Sequence, residues 1–574
     1  GQTWTRLGGG LPAPAANLGR PAVAFAPSHP DVVYAAFADD PGNFLGSWKS
    51  TDGGDTWTRM NDAALAGLYS NFGWYFGKVF VHPQDPGKVF IFGVSAGRST
   101  NGGASWSTLV AGHVDHHAMV FDPDPALMHI GTDGGFATST NGGVSWTRRS
   151  DQGLWITQFY AGAIDRQNPA RSMGGTQDNG TPRTLTGNAW DWSDINGGDG
   201  FYCPIDYVNP QYQYAESQYG VIRRTTDNWS TSAGGTTGIS ATDRKNWSTP
   251  LILDPVNPAV LYTGTQRLYR STNRAANWGA VSGDLTGGLV PGFTSYATIT
   301  TIDVAPTDTN AIIAGTDDAR VWVSSNRGGT WTNVSAGLPE RWVTRVRFDP
   351  ADSRSAYVTL SGYRYDTKLP HVFRTTNSGG EWLDISGNLP ETPVNVIAAD
   401  PAFPNRLYVG TDVGCFFSTD RGGQWHAMGT GLPNVVVSDL VIHAPTRIAR
   451  AFTHGRSMWE IPLDGLVLAA EDRGAVPPTW CELLPAYPNP FNPAATVRYR
   501  LADAAHVLLE VTDPAGRRVR VLEEGEREGG EHRALWDGRD ERGGQTASGV
   551  YFCRLQASGE RGRVLAVRKL VLLR

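Results

Sequence analysis

The chain has 574 residues, too long for one ordinary domain, and its 69 Gly, 36 Pro and 20 Trp with only 18% charged residues favour many short strands over helices. A net charge of −6 without a Lys/Arg stripe argues against a nucleic-acid partner, and the lack of any run of about 18 apolar residues argues against a transmembrane helix. Cys203, Cys415, Cys481 and Cys553 are scattered and form no CxxC pair, so a Cys-based zinc or redox motif is not expected.

The chain opens on Gly1-Gln2-Thr3-Trp4, the tail of an eight-residue pattern, Ser/Thr-x-Asp/Asn-x-Gly-x-x-Trp. No signal peptide is visible, and the start inside a repeat reads as a truncated or processed N terminus. Full copies carry Asp52 and Trp57, Asn101 and Trp106, Asn141 and Trp146, Asn326 and Trp331, Asn377 and Trp382, and Asp420 and Trp425. Weaker copies end at Trp229, shortened after Asp227, and at Trp278, where Asn273 is kept without the glycines. Trp57 to Trp106 and Trp229 to Trp278 span 49 residues each, the period of a propeller blade. The longer gap from Trp146 to Trp229 holds two units, the box between them having decayed around Trp190 and Trp192.

A second mark punctuates each unit: an Asp-Pro turn before an apolar strand, as at Asp122-Pro123, Asp254-Pro255, Asp349-Pro350 and Asp400-Pro401. Each unit reads strand, Pro turn, strand, loop, strand, box, strand, which is one four-stranded blade. The expected fold is all-β: about ten such units forming one or more β-propellers, followed by a C-terminal Ig-like β-sandwich. Within the box the Asp or Asn caps turn N–H groups, the glycines permit positive φ, and the Trp packs between sheets. These residues are read as structural.

The boxes over residues 1–465 resemble the bacterial neuraminidase (Asp-box) repeat, found in sialidases, in xyloglucan-degrading glycoside hydrolases with paired seven-bladed propellers, and in the ten-bladed sortilin propeller. That resemblance specifies fold better than activity. It leaves two layouts, one ten-bladed ring or two seven-bladed rings with the front of the first cut away. The second is favoured: 1–155 as blades of a truncated first propeller and 156–465 as a second, seven-bladed ring. No Arg-Ile-Pro motif of a sialidase appears, nor a GxSxG elbow, an HExxH helix or a P-loop.

Residues 466–482 read as a linker. Over 483–574, Tyr487-Pro-Asn-Pro-Phe-Asn-Pro493 precedes alternating strands at 496–501, 507–512 and 518–522, then Trp536-Asp-Gly538, Ser548-Gly-Val-Tyr-Phe552 and a basic, apolar end. This stretch resembles the FlgD-like Ig domain that serves as a type A C-terminal sorting domain. The resemblance implies type IX secretion machinery as a partner and a secreted or outer-membrane-surface location.

Chemistry is sought where the repeat explains least. In His113-Val-Asp115-His116-His117, a period of two puts His113, Asp115 and His117 on one face if the following strand (118–121) extends back. That pattern suits a metal or a hydrogen-bonded rim; the rim is preferred, and no metal or cofactor is expected. Acidic Gly-rich loops place Asp133, Asp178 and Asp199 after strands in consecutive units, where they fall on one face. Glycoside hydrolysis needs two carboxylates, so these three are the candidate catalytic residues, although Asp-Gly also serves plain turns. Trp74, Tyr75 and Trp155, with Asp115 and His117, are candidate substrate contacts, flat rings beside carboxylates being suited to sugars. Two functional classes follow: a protein that binds and hydrolyses an extracellular polysaccharide, xyloglucanase-like rather than sialidase-like, or a non-catalytic sortilin-like or adhesion propeller for a protein ligand.

Overall fold

A computed structural model describes residues 3–4, 7–13, 17–149, 153–288, 296–365, 367, 369–429, 431–464, 466, 480–484, 486–489, 491–513, 517–559 and 562–572, side chains at 562, 563 and 565 excepted. Two compact units result, Gly1–Asp464 and Gly465–Arg574.

Among the described residues of the first unit, ten antiparallel sheets follow one another, at 18–59, 78–109, 116–148, 159–194, 213–234, 251–280, 299–333, 342–384, 394–427 and 437–462. Strands pair in chain order; eight sheets have four strands, and the fifth and tenth have three. Asp-Pro turns join first to second strands in the third, sixth, eighth and ninth sheets, and boxes join third to fourth strands in the first three and the sixth to ninth. In the sixth sheet Asp254 links Leu251–Leu253 to Leu261–Gly264, and box 271–278 links Leu268–Ser271 to Gly279–Ala280. The Asp254 carboxylate caps its turn by accepting the N–H groups of Val256 and Asn257, both at 3.0 Å.

Every box closes the same way. The Ser/Thr hydroxyl accepts the N–H four residues on, and the Asp/Asn side chain accepts the N–H four residues beyond itself. In the seventh sheet these are Gly328 N–H to Ser324 Oγ, 2.9 Å, and Thr330 N–H to Asn326 Oδ1, 2.8 Å. In the first box, hydrogen bonds from Ser50 and Thr56 hold the Asp52 carboxyl at about 2. One alignment is corrected: in the fifth sheet Trp229 is not the terminal box Trp. Thr225 accepts from Trp229 N–H at 2.9 Å and Asp227 from Thr231 N–H at 2.8 Å, so Trp229 occupies the position held by glycine elsewhere, at φ 66°.

The terminal Trp joins sheets. Its indole N–H donates to a backbone carbonyl of the preceding sheet's outer end: Trp278 to Gly235 at 2.6 Å, Trp331 to Val281 at 3.0 Å, Trp382 to Val334 at 2.7 Å and Trp425 to Ile385 at 2.8 Å. Trp57 instead bonds Gly54 in its own box, 2.8 Å. The indole N–H groups of Trp106 and Trp146 are buried without a partner among the described residues.

First strands touch one another between the first and second sheets and from the sixth sheet through to the tenth. Phe159–Ile164 of the fourth sheet packs on Val437–His443 and Ile448–Thr453 of the tenth. The approach needs a glycine: a Cβ on Gly162 would lie 2.1 Å from the Phe452 ring. Asp439 accepts the Gly162 N–H at 3.1 Å and the Arg345 guanidinium at 2.9 Å, so one buried carboxylate ties the tenth, fourth and eighth sheets together.

The second unit is a sandwich of two sheets. One contains Cys481–Leu483, Ala495–Leu501 and Gly530–Trp536; the other, in spatial order, contains Arg518–Arg527, Ala505–Thr512, Gly549–Gly559 and Gly562–Leu572. Trp480 is buried in its core and Cys481–Leu483 is a strand, so residues 480–482, expected in the linker, belong to the sandwich; 467–479 lie outside the described residues. The Pro-rich motif holds the last strand. The Asn489 amide donates to Lys569 O at 2.9 Å and accepts Val571 N–H at 2.8 Å, while Phe491 is buried against Trp536.

Asp439→Ala leaves Arg345 buried and unpaired, and is expected to cost about 3–5 kcal/mol of stability. Trp331→Phe, which removes one part-buried hydrogen bond, is expected to cost about 0.5–1.5 kcal/mol. Urea unfolding of the two variants checks the order, Asp439→Ala being the more severe.

Candidate functional site

Two loops of the third sheet and two of the fourth meet on one face. The third sheet's first strand, His116–Phe121, begins one residue after Asp115, which stands at φ 61°. The strand therefore does not extend back to His113, and the expected alternation of His113, Asp115 and His117 on one strand face is wrong. A left-handed residue breaks the period of two. The three side chains still converge, through the loop. Asp115 N–H donates to Val94 O at 2.7 Å, and its own carbonyl accepts Asp133 N–H at 3.2 Å. The latter bond seats the turn between Met128–Thr132 and Gly135–Ser139. Asp133 Oδ1 then lies 2.7 Å from His117 Nε2.

Asp178 is also left-handed, at φ 59°, in the turn after Ser172–Thr176. Gly180 pairs with Asp199 in a short parallel bridge, bringing two segments of the fourth sheet side by side. Asp199 is 6% exposed. Its carboxyl accepts the Gln218 amide at 3.2 Å, the Tyr160 hydroxyl at 3.4 Å and the Asp178 N–H. Bonds crossing from the third sheet to the fourth among the described residues include two at this point: His113 Nε2 lies 3.1 Å from Asp178 O, and the Asn179 amide donates to Asp133 O at 2.9 Å.

Asp115, Asp133, Asp178 and Asp199 thus come within electrostatic reach of one another. Burial raises the carboxyls of Asp115, Asp178 and Asp199 above the ordinary range. The charges of Asp133 and Asp178 add to this at Asp115, that of Asp133 at Asp178, and that of Asp178 at Asp199. Burial likewise raises the Tyr160 hydroxyl. The arrangement can present a protonated carboxylic acid and an ionised carboxylate at one place, the requirement for general acid–base work.

The aromatic candidates divide. Trp74 and Tyr75 are 60% and 54% exposed, and Tyr75 meets the His117 ring at 5.7 Å. Phe76 is buried against the same imidazole, at 5.1 Å. Trp155 is exposed, and among the described residues no ring contact joins it to the carboxylates. The acidic loops of later sheets serve turns: Asp317 accepts the N–H groups of Tyr296 and Thr298, and Asp412 accepts the Asn395 amide. Sequence reasoning missed Gln218, Trp247 and His454. Trp247 hydrogen-bonds the Tyr160 hydroxyl, and the His454 ring packs on Tyr160 at 5.5 Å. None lies in a motif, and His454 arrives only where the tenth sheet packs on the fourth. Among the described residues no group of three or more His, Cys, Asp or Glu could hold a metal ion.

Comparison with known proteins bears on both units. The FlgD Ig-like domain family matches residues 492–560. The chain is distantly similar to xyloglucanases. The xyloglucanase of Hypocrea jecorina (strain QM6a) is 27% identical over 271 residues, covering 38% of this chain and 32% of that protein. The probable oligoxyloglucan-reducing end-specific xyloglucanase of Neosartorya fischeri is 23% identical over 485 residues, covering 78% and 55%. The chain therefore spans between about a third and just over half of these relatives' lengths. The crystal structure of the GH74 enzyme of Niastella koreensis aligns over 96% of this chain and 90% of its own, at 15% identity and a TM-score of 0.29.

A carboxyl raised in the folded state favours folding while protonated, and that contribution is lost as pH rises from the ordinary Asp range through the raised value. Asp178→Asn removes one such group and suits a left-handed residue. Its melting temperature relative to wild type is expected to be higher at pH 7 than at pH 4, as thermal unfolding at the two pH values will show.

Proposed function

We propose that the chain binds and hydrolyses an extracellular glycan at the seam between the third and fourth sheets. The observation that carries this is the meeting of Asp115 and Asp133 with Asp178 and Asp199 beside the open Trp74–Tyr75 ledge. In this reading Asp178 or Asp199, raised by burial, is the general acid. Asp133, held by His117, is the base or nucleophile, and Asp115 tunes both. Trp74 and Tyr75 stack on sugar rings, with Trp155 an outlying platform. The likeness to xyloglucanases supports a β-glucan backbone as substrate. Sheets four to ten are taken as one seven-bladed propeller and the first three as blades of another, which puts the site in the cleft between two rings. The sandwich is the export signal read by type IX machinery, a proposal resting on its motif order and on the FlgD Ig-like match. It implies a secreted or surface-attached protein.

One observation favours a binding protein instead: Asp199 is buried and engaged by Tyr160, Gln218 and Asp178. One assay separates the readings. Reducing-end release from xyloglucan and mixed-linkage β-glucan is expected from wild type. Asp133→Asn and Asp178→Asn should each lose at least about 10²-fold in kcat, and Trp74→Ala should mainly raise KM. Saturable binding of a glucan with no bond cleavage would leave a binding propeller; neither cleavage nor binding would sink the glycan reading.

A further inference from the structure

The two bonds across the seam differ in kind. The Asn179 amide is a fixed donor to Asp133 O. His113 is not: its Nδ1 lies 2.9 Å from Val114 O and its Nε2 3.1 Å from Asp178 O. Backbone carbonyls only accept. A neutral imidazole has one N–H, so it satisfies one oxygen and sets a lone pair against the other; an imidazolium donates to both. The ring is also confined, because it packs over Gly134, where a Cβ would lie 2.4 Å from His113 Cγ. The carboxylates of Asp115, Asp178 and Asp194 act on it electrostatically, and Asp133 acts in turn on Asp115 and Asp178. The cationic groups near it are His116, with His117 beside that, and Arg148, which donates to Gly134 O at 3.3 Å.

We propose that His113 is a proton-dependent staple. As imidazolium it pins the Asp178 turn to the third sheet, and on losing its proton it releases that turn, separating the carboxylates of one sheet from those of the other. As regulation of catalysis this rests on the glycan reading; as a property of the seam it does not. His113 is a positioning residue, acting on Asp178 through the backbone carbonyl.

The test is amide hydrogen exchange over residues 176–181 in the intact protein, corrected for intrinsic rates, between pH 5.5 and pH 8. Protection in wild type is expected to fall severalfold across that range. In His113→Gln, whose single amide group cannot gain a donor, protection should be the same at both ends. Gly134→Ala, which displaces the ring, should show the same flat profile with His113 retained. Equal protection at both pH values in wild type overturns the staple, as does a pH dependence that survives in both variants. If the staple behaves as expected but no glucan is cleaved or bound, the glycan reading fails alone.

Discussion

The buried Asp439 carboxylate ties the tenth sheet to the fourth and the eighth, and the placement of the candidate site depends on that tie. No covalent bond crosses from the tenth sheet to the fourth. The joint includes the Gly162 N–H on Asp439, which also takes the Arg345 guanidinium, Phe452 packed against a residue that must be glycine, and the Gly455 and Ser457 N–H groups on Thr157 O, both at 3.1 Å. A buried ion pair of this kind adds little over an apolar pair of equal shape, but losing one partner strands the other in a poor solvent. Its value here is register. It fixes the first strand of the fourth sheet, and that strand and its neighbours carry Tyr160, Asp178 and Asp199 to the seam.

The seam is costly by every local measure. Three carboxyls are raised by burial and by one another, and both Asp115 and Asp178 adopt a left-handed backbone that most residues avoid. The left-handed backbone is shared with box turns, as at Arg327, Ser378 and Arg421, but the mutually raised carboxyls are not. Asp254 and Asp317 show what an Asp does when it only caps, accepting nearby N–H groups in its own loop or the one facing it. A cluster of mutually opposed acids held by satisfied side-chain donors costs stability, and that cost is what supports the proposed reading of the seam as a site.

The sheets were legible in the sequence because their determinants are local. The Ser/Thr and Asp/Asn of each box act on N–H groups four residues away, so the motif and its period are visible without tertiary knowledge. The failure at Trp229 is instructive: Trp is the most conspicuous letter of the motif, yet Thr225 and Asp227 set the turn, and Trp229 sits where their geometry puts it. At the site the Asp-Gly turns could be read, but not their partners. Gln218, Trp247 and His454 come from separate loops and act only after the sheets pack on one another. Strand alternation failed at Asp115 because nothing in the letters His-Val-Asp-His-His announces a positive φ.

The indole bonds between sheets have an evolutionary consequence. Each donor is a box Trp, but each acceptor is a backbone carbonyl, offered in turn by Gly235, Val281, Val334 and Ile385. The joint is therefore indifferent to the side chain on its accepting half. A repeat can drift at that position, or be duplicated beside an unrelated neighbour, and still dock. Selection then has only the donor half to conserve, which lets blades diverge nearly everywhere else while the assembly they build stays the same.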